Sequence, residues 1–522
     1  MPRLQALVVL FTLAAASTVS AQVLDDELVP RGRTRFELSP VFTSWESRFG
    51  RTAAGATGRE DLGADLTGAS AHALFPGAES LRAAVAAMSA NAGYSPFIGP
   101  SQARVTHDIT RVEFGAHVGV FDWLTIGVVL PWTRTRTSLD LHFRPDTLAG
   151  DLGRNPTATN AVGVNTFLQA LGAAETAAQT NAAQICGGAP GSGTCTNAQA
   201  LANRTTSFRS SAASAYGAAG FFPVATTTTA TALTQSLSAL SADLIGAGLG
   251  GIGVPMPFAT QFLTEEELWT LPTRPDAGLS GTPLGSVKGL WQAGDVEVSA
   301  TARILEGSLG ATPNGPPRLT FRLLATALAR LPTGSTDSAD VFLDVGTGDG
   351  QADLEGRLLG QVGLGSRLGL HLGARYGIQR PRTLQRRVAA PELVLAPANT
   401  RHLVEWSPGS YFGLEVAPTW RLTSELSIAG EYRAFRKYRD EYELTGAPDD
   451  PTVLELESGV TLHEVGGTIR YDTMARWLGE GARPIQANFR FTRAVAGGGG
   501  QTPVTTQVEF GVRLFRRLWG RS

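Results

Sequence analysis

From Asp295 onward, polar and apolar residues alternate with a period of two, segment after segment. Asp295, Glu297, Ser299, Thr301 and Arg303 interleave with Val296, Val298, Ala300, Ala302 and Ile304, so a strand here has one polar and one apolar face. The same beat recurs through 319–331, 353–358, 367–376, 412–421, 485–492 and 504–514. With earlier segments it predicts about twelve strands, at 34–48, 104–120, 124–143, 294–305, 319–331, 351–364, 367–379, 408–421, 426–443, 456–472, 485–496 and 504–517. Such runs are long enough to supply the ~9–11 residues that cross a bilayer at a tilt.

Tight connections at 121–123, 365–366 and 422–425 alternate with long ones at 332–350, 380–407 and 497–503. An even strand number puts both chain ends on one side, the periplasmic one. The tight turns after the second, sixth and eighth strands then fall on that side, and the long loops outside. Two inner connections, 306–318 and 473–484, are longer than the rule, and the second has room for a short helix. Trp123, Trp132, Trp420 and Trp519 stand near strand ends, where an interfacial girdle places them. A soluble sandwich would also alternate, but strand length, loop asymmetry and girdle together favour hydrocarbon around the apolar face. The expected fold class is all-β: a transmembrane antiparallel β-barrel of about twelve strands (ten to fourteen), carrying a large, mainly helical insertion.

Two interruptions break the beat. The first, 51–103, predicts a helix near 78–90 with Leu81, Val85 and Met88 on one face. The second, 144–293 between the third and fourth strands, far exceeds an ordinary loop. It shows helical spacing at Phe167 and Leu171, and at Leu233, Leu237, Leu240 and Leu244. Leu263-Thr264-Glu265-Glu266-Glu267 reads as a helix start, with Thr264 as cap. The insertion is expected to cap the barrel mouth or plug its interior.

Residues 1–21 have a basic start, an apolar stretch from Leu4 to Ala16, and Val19-Ser20-Ala21 before Gln22. This is the pattern of a secretory signal, which leaves 22–522 as the barrel-bearing chain in an oxidising compartment. Cys186 and Cys195, flanking a Gly/Ser-rich stretch, are then expected to form a disulfide across a small loop. A formal net charge of −2 offers no field for nucleic acid. Charged residues at 17% are few, so each charge on a polar strand face carries weight.

The seven histidines show no HExxH spacing, and no nucleophile elbow or phosphate loop stands in context. Gly346-Thr347-Gly348-Asp349-Gly350 lacks the lysine and helix of a phosphate loop and reads as a turn. Neither enzyme activity nor a cofactor is expected. Asp337, Asp340 and Asp344, with Asp349 and Asp353, form a weak calcium candidate whose spacing departs from DxDxDG. The inward positions are the more informative set: Arg111, Glu113, His117, Glu297, Arg303, Arg322, Asp353, Glu355, Arg357, Arg375, Glu415, Arg421, Glu431, Arg433, Glu464, Arg470, Arg490, Glu509 and Arg513. Both signs are interspersed. They predict either a salt-bridged packed interior or a wet path without strong ion selectivity.

The run from Val112 to Trp132, VEFGAHVGVFDWLTIGVVLPW, resembles the strand-turn-strand of bacterial outer-membrane transporter barrels associated with the meta pathway of phenol degradation, similar in architecture to the long-chain fatty acid channel superfamily. Leu331-Pro332-Thr333-Gly334 followed by Gly346-Thr347-Gly348 is similar to that family's LPTG and glycine-turn pattern. The resemblance covers 105–143 and 294–517. It departs in the large insertion and in a C-terminus ending Leu518-Trp519-Gly520-Arg521-Ser522, without the terminal aromatic read by barrel-assembly machinery. It implies an outer-membrane channel for passive passage of small, hydrophobic or aromatic molecules. The partners implied are the lipid bilayer, the small-molecule solute and the assembly machinery. From a different class, the barrel is an anchor displaying a helical interaction module.

Overall fold

The computed structural model describes residues 28–519, apart from 52–56, 69–73, 76, 144–149, 219, 275–277, 311–316, 390–394 and 475–483. The expected signal segment and the short helix considered within 473–484 lie, wholly or largely, outside the described residues.

Twelve long antiparallel strands close into a barrel. They are β1 (Arg33–Trp45), β2 (Ser101–Phe121), β3 (Leu124–Phe143), β4 (Val296–Leu309), β5 (Leu319–Leu331), β6 (Asp353–Leu364), β7 (Leu368–Gln379), β8 (Tyr411–Arg421), β9 (Leu426–Lys437), β10 (Val460–Asp472), β11 (Ile485–Gly498) and β12 (Thr506–Arg517). Each pairs with its neighbours in sequence, and β1 pairs with β12 from Arg33↔Arg517 to Ser44↔Thr506. The ring is complete because β3 also pairs with β4, from Glu297↔Val129 to Ala302↔Leu124. Closure pairs with each other the two strands that would otherwise be free edges, the condition for sheet structure inside hydrocarbon.

Alternation does the sorting. Phe36, Leu38, Phe114, Leu130, Leu358, Leu372, Leu414, Ile469, Val512 and Leu514 are exposed on the outer face. Trp123, Trp420 and Trp519 are exposed near strand ends, whereas Trp132, expected near one, is exposed in the middle of β3, which runs on to Phe143. An apolar band that encircles the molecule has no place in water, so the outer face is the hydrocarbon face. Among the described residues no helix is long and apolar enough to cross a membrane.

Strand ends moved where local chemistry intervened. The ninth strand stops at Lys437, short of 443: Glu441–Glu443 turns away to pair with Arg401–Ser407, which pairs in turn with Arg382–Arg387. The tenth starts at Val460, after a single 3-10 turn at Pro451–Glu455. The end bearing the tight turns, such as Phe121-Asp122-Trp123-Leu124, also bears both barrel termini.

The other end carries the long connections and four long helices, α1 (Gly77–Ser89), α2 (Ala161–Gly188), α3 (Gly193–Ala218) and α4 (Thr228–Gly246). Leu81, Val85 and Met88 of α1, Phe167 and Leu171 of α2, and Leu233, Leu237, Leu240 and Leu244 of α4 are buried. They share one core with Trp45, Val105, Leu141 and Phe143 at the far ends of β1, β2 and β3. Thr264 forms a capping box with Glu267 at the start of Glu265–Thr270. A disulfide joins Cys186 to Cys195 and so ties the end of α2 to the start of α3, with a Cα–Cα distance of 4.8 Å.

Candidate pore interior

The strand alternation that turns leucine outward turns charge inward. Arg111, Glu113 and His117 on β2, Glu297 and Arg303 on β4, Arg322 on β5, and Glu355 and Arg357 on β6 all lie opposite the exposed apolar face. So do Arg375 on β7, Glu415 on β8, Glu431 and Arg433 on β9, Arg490 on β11, and Glu509 and Arg513 on β12.

Register makes most of them neighbours. Arg490 stands directly opposite Glu509 on one side and Thr468 on the other. Its Nη1 donates to Glu509 Oε2 at 3.0 Å and its Nε to Glu431 Oε1 at 3.2 Å. Arg433, opposite both Glu415 and Glu464, reaches Glu431 at 2.9 Å. Arg330, opposite Glu297 and Asp353, bonds Asp353 at 2.7 Å and Glu297 at 3.3 Å. Arg111 continues the chain to Glu297 at 3.3 Å and to Glu113 at 2.9 Å. Arg513 meets Glu37 at 3.1 Å, and His117 lies 3.9 Å from the same carboxylate. Arg357 pairs with Glu355, to which Tyr411 also donates at 2.6 Å. Arg375 lies 4.0 Å from Glu355, with its guanidinium 5.2 Å from the centre of the Phe435 ring.

These pairs run round the barrel wall, and every strand except β3 contributes. Arg490 is 1% exposed and Glu355 3%. Charges this dry persist only when paired and hydrogen-bonded. Of the two interiors allowed by the sequence, the middle of the barrel has the packed, salt-bridged one.

Toward the tight-turn end the packing opens into a cavity of about 870 Å³. Its inward lining includes Arg322, Gln361, His371, Thr419, Arg421 and Arg470. Glu306 joins this wall because a register shift after Arg303 turns the strand by one residue, and it accepts from Arg322 at 2.6 Å. Arg303 pairs with the same carboxylate, at the edge of the cavity. Near this end, residues 28–32 run along the inner wall. Val29 donates its N–H to Thr125 Oγ1 at 2.9 Å, and Leu28 packs on Leu324 and Leu359. Gly119 is required here, since a Cβ would come within 2.2 Å of the Val29 carbonyl oxygen.

On the far side of the ion pairs, the connection between β5 and β6 folds inward. Thr135 and Thr137, inward residues of β3, donate to the Val345 and Leu343 carbonyls at 2.8 Å each. The weak calcium candidate lies in this same connection, and its oxygens are already engaged. Arg386 holds Asp337, and Arg387 and Arg401 hold Asp340. Asp344 accepts the Ser338 N–H, and burial raises its pKa. Arginines thus neutralise Asp337 and Asp340. Among the described residues no group of three or more His, Cys, Asp or Glu side chains is arranged to hold a metal ion.

No protein-family model matches the chain, and no curated protein matches it. Among solved structures it is similar to an outer membrane channel from Pseudomonas putida F1, at 9% identity over 94% of this chain and 98% of that one, with a TM-score of 0.42. It is also similar to the Ralstonia pickettii toluene transporter TbuX, at 9% identity over 95% and 93% with a TM-score of 0.26. The translocator domain of the autotransporter NalP from Neisseria meningitidis matches at 8% identity over 94% and 90%, with a TM-score of 0.28.

Sequence reasoning missed four inward charges that complete the network. Arg35 and Glu37 alternate with Phe36 and Leu38 and were legible by the same rule as the others. Arg330 sits in a recognised alternating run. Glu306 was hidden, because the register shift at Arg303 reverses the parity on which face assignment depends.

Proposed function

We propose that the chain is an outer-membrane channel for the passive passage of small molecules, with the inward charges as its wall. The cavity of about 870 Å³ inside a closed, lipid-facing cylinder carries this reading, since it matches the size range of small-molecule sites. The ring of ion pairs above it closes the path in this conformation, and the helical insertion caps the far mouth. Hydrophobic or aromatic solutes are the class implied by the sequence resemblance. Arg322, Arg421 and Arg470 give such solutes planar guanidinium faces on which aromatic rings stack.

Planar-bilayer recording tests the proposal. Wild type should show small, infrequent currents, and Glu297→Gln and Arg322→Gln should each change conductance or ion preference. Flux of a small aromatic probe into vesicles should follow the same order. Silence in wild type, both variants and the flux assay would overturn it. That outcome would favour the barrel as an anchor for its helical module, a reading supported by the dry packing of the ion pairs.

A further inference from the structure

Outward positions along β3 read Ile126, Val128, Leu130, Trp132, Arg134, Arg136. The first four are apolar, and Ile126, Leu130 and Trp132 are each about half exposed. From Leu124 to Trp132 the strand climbs about 27 Å at ~3.4 Å per residue, or roughly 21 Å of membrane depth at a ~40° tilt. Trp132 therefore marks the edge of the apolar band at the loop-bearing end. Arg134 and Arg136 stand immediately beyond it, at the depth of lipid headgroups.

A third cation joins them. The two-residue strand Val287–Lys288 pairs with β3 so that Lys288 sits opposite Arg136. Residues i and i+2 on a strand are about 7 Å apart, and adjacent strands ~4.8 Å, so the three cationic groups converge on one small patch. Leu290, 76% exposed, and Trp291, 40% exposed, follow Lys288 directly. Asp108 on β2 stands opposite Arg136 in register, yet among the described residues none of Arg134, Arg136 and Lys288 makes an ion pair within 4 Å. In the ring of ion pairs inside the barrel, by contrast, each arginine is matched to carboxylate. Here, on the lipid side, the positive charge is left unmatched and framed by tryptophan.

The geometry points to a binding site for the phosphate headgroup of an anionic lipid in the leaflet surrounding the loop-bearing end, with Trp132, Trp291 and Leu290 against its acyl chains and Arg134, Arg136 and Lys288 on its phosphate. Guanidinium groups bind phosphate through paired N–H donors, and Lys288 adds a point charge. Interfacial tryptophan holds the depth. The site rests on the reading of the barrel as membrane-spanning, because only there do these side chains face lipid.

The test uses the full-length barrel in phosphatidylcholine nanodiscs doped with a diphosphorylated glycolipid, with retained lipid read by native mass spectrometry. Each cation near an anionic surface contributes about fivefold. The triple variant Arg134→Gln, Arg136→Gln, Lys288→Gln should therefore lose affinity on the order of 100-fold, while Arg493→Gln, an outward cation on β11 away from the patch, should match wild type. Equal retention by triple variant and wild type would overturn the site, as would equal retention of the dephosphorylated glycolipid. Displacement by millimolar inorganic phosphate would also overturn it, by showing a free-anion site. Insertion into nanodiscs, scored by heat-modifiable migration, reports on the barrel reading separately: its loss in wild type would sink that reading, whereas intact insertion with no lipid preference sinks only the site.

Discussion

Arg490 offers the sharpest test of the interior. It is 1% exposed and bridges β9 and β12 through Glu431 at 3.2 Å and Glu509 at 3.0 Å, while also donating to Thr468. Arg490→Met keeps most of the side-chain volume and removes the charge. Glu431 retains Arg433 at 2.9 Å, but Glu509 loses its 3.0 Å cationic partner in a dry wall. Removing one member of a buried pair costs about 3–5 kcal/mol, roughly a hundredfold to a few thousandfold in the folding equilibrium. Replacing both members is far milder, because the carboxylate is removed together with its guanidinium, so Arg490→Met with Glu509→Gln should recover most of the loss. Urea unfolding in lipid vesicles, followed by tryptophan fluorescence, measures the four corners of the cycle. An Arg490→Met variant within 1 kcal/mol of wild type, or a double variant as unstable as the sum of the singles, would refute a dry, ion-paired interior.

Other outcomes follow from the same geometry. Thr135→Val with Thr137→Val removes both 2.8 Å anchors of the inward connection, and should lengthen open events in bilayer recordings while lowering stability by about 1–3 kcal/mol. Gly119→Leu should displace residues 28–32 from the inner wall, read as faster protease cleavage near Val29; unchanged cleavage would contradict the packing of Gly119 against the Val29 carbonyl. Asp65, in the segment 57–68 made of the short strand Thr57–Asp61 and a 3-10 turn at Ala64–Leu66, is pushed up to about 6 by burial, against the opposing pull of Arg48. Because its folded value lies above the ordinary 3.8, protonation favours the docked segment. That stabilisation is complete below about pH 4 and is lost as pH rises through about 6. Hydrogen exchange across 57–68 should therefore slow between pH 7 and 5 beyond the intrinsic rate change, and Asp65→Asn should abolish that excess.

The sequence alone determined the barrel: strand number, the order of tight and long connections, and which face of each strand is greasy. All three follow from a two-residue period and from turn lengths, which are local and survive any change of solvent model. It also determined which charges point inward, wherever parity held from one end of a strand to the other. Arg303 to Glu306 shows the limit, since one shifted residue reverses the rule and no residue type announces the shift. The helix α3 was equally hidden: its Ala, Ser, Thr and Asn leave no apolar stripe, and it is helical because it packs against α1 and α2. Only the tertiary structure decided that the middle of the interior is dry. Whether Arg490 lines a water path or locks to Glu431 and Glu509 depends on cross-strand register and barrel width, and those are fixed only when β3 meets β4 and the sheet closes.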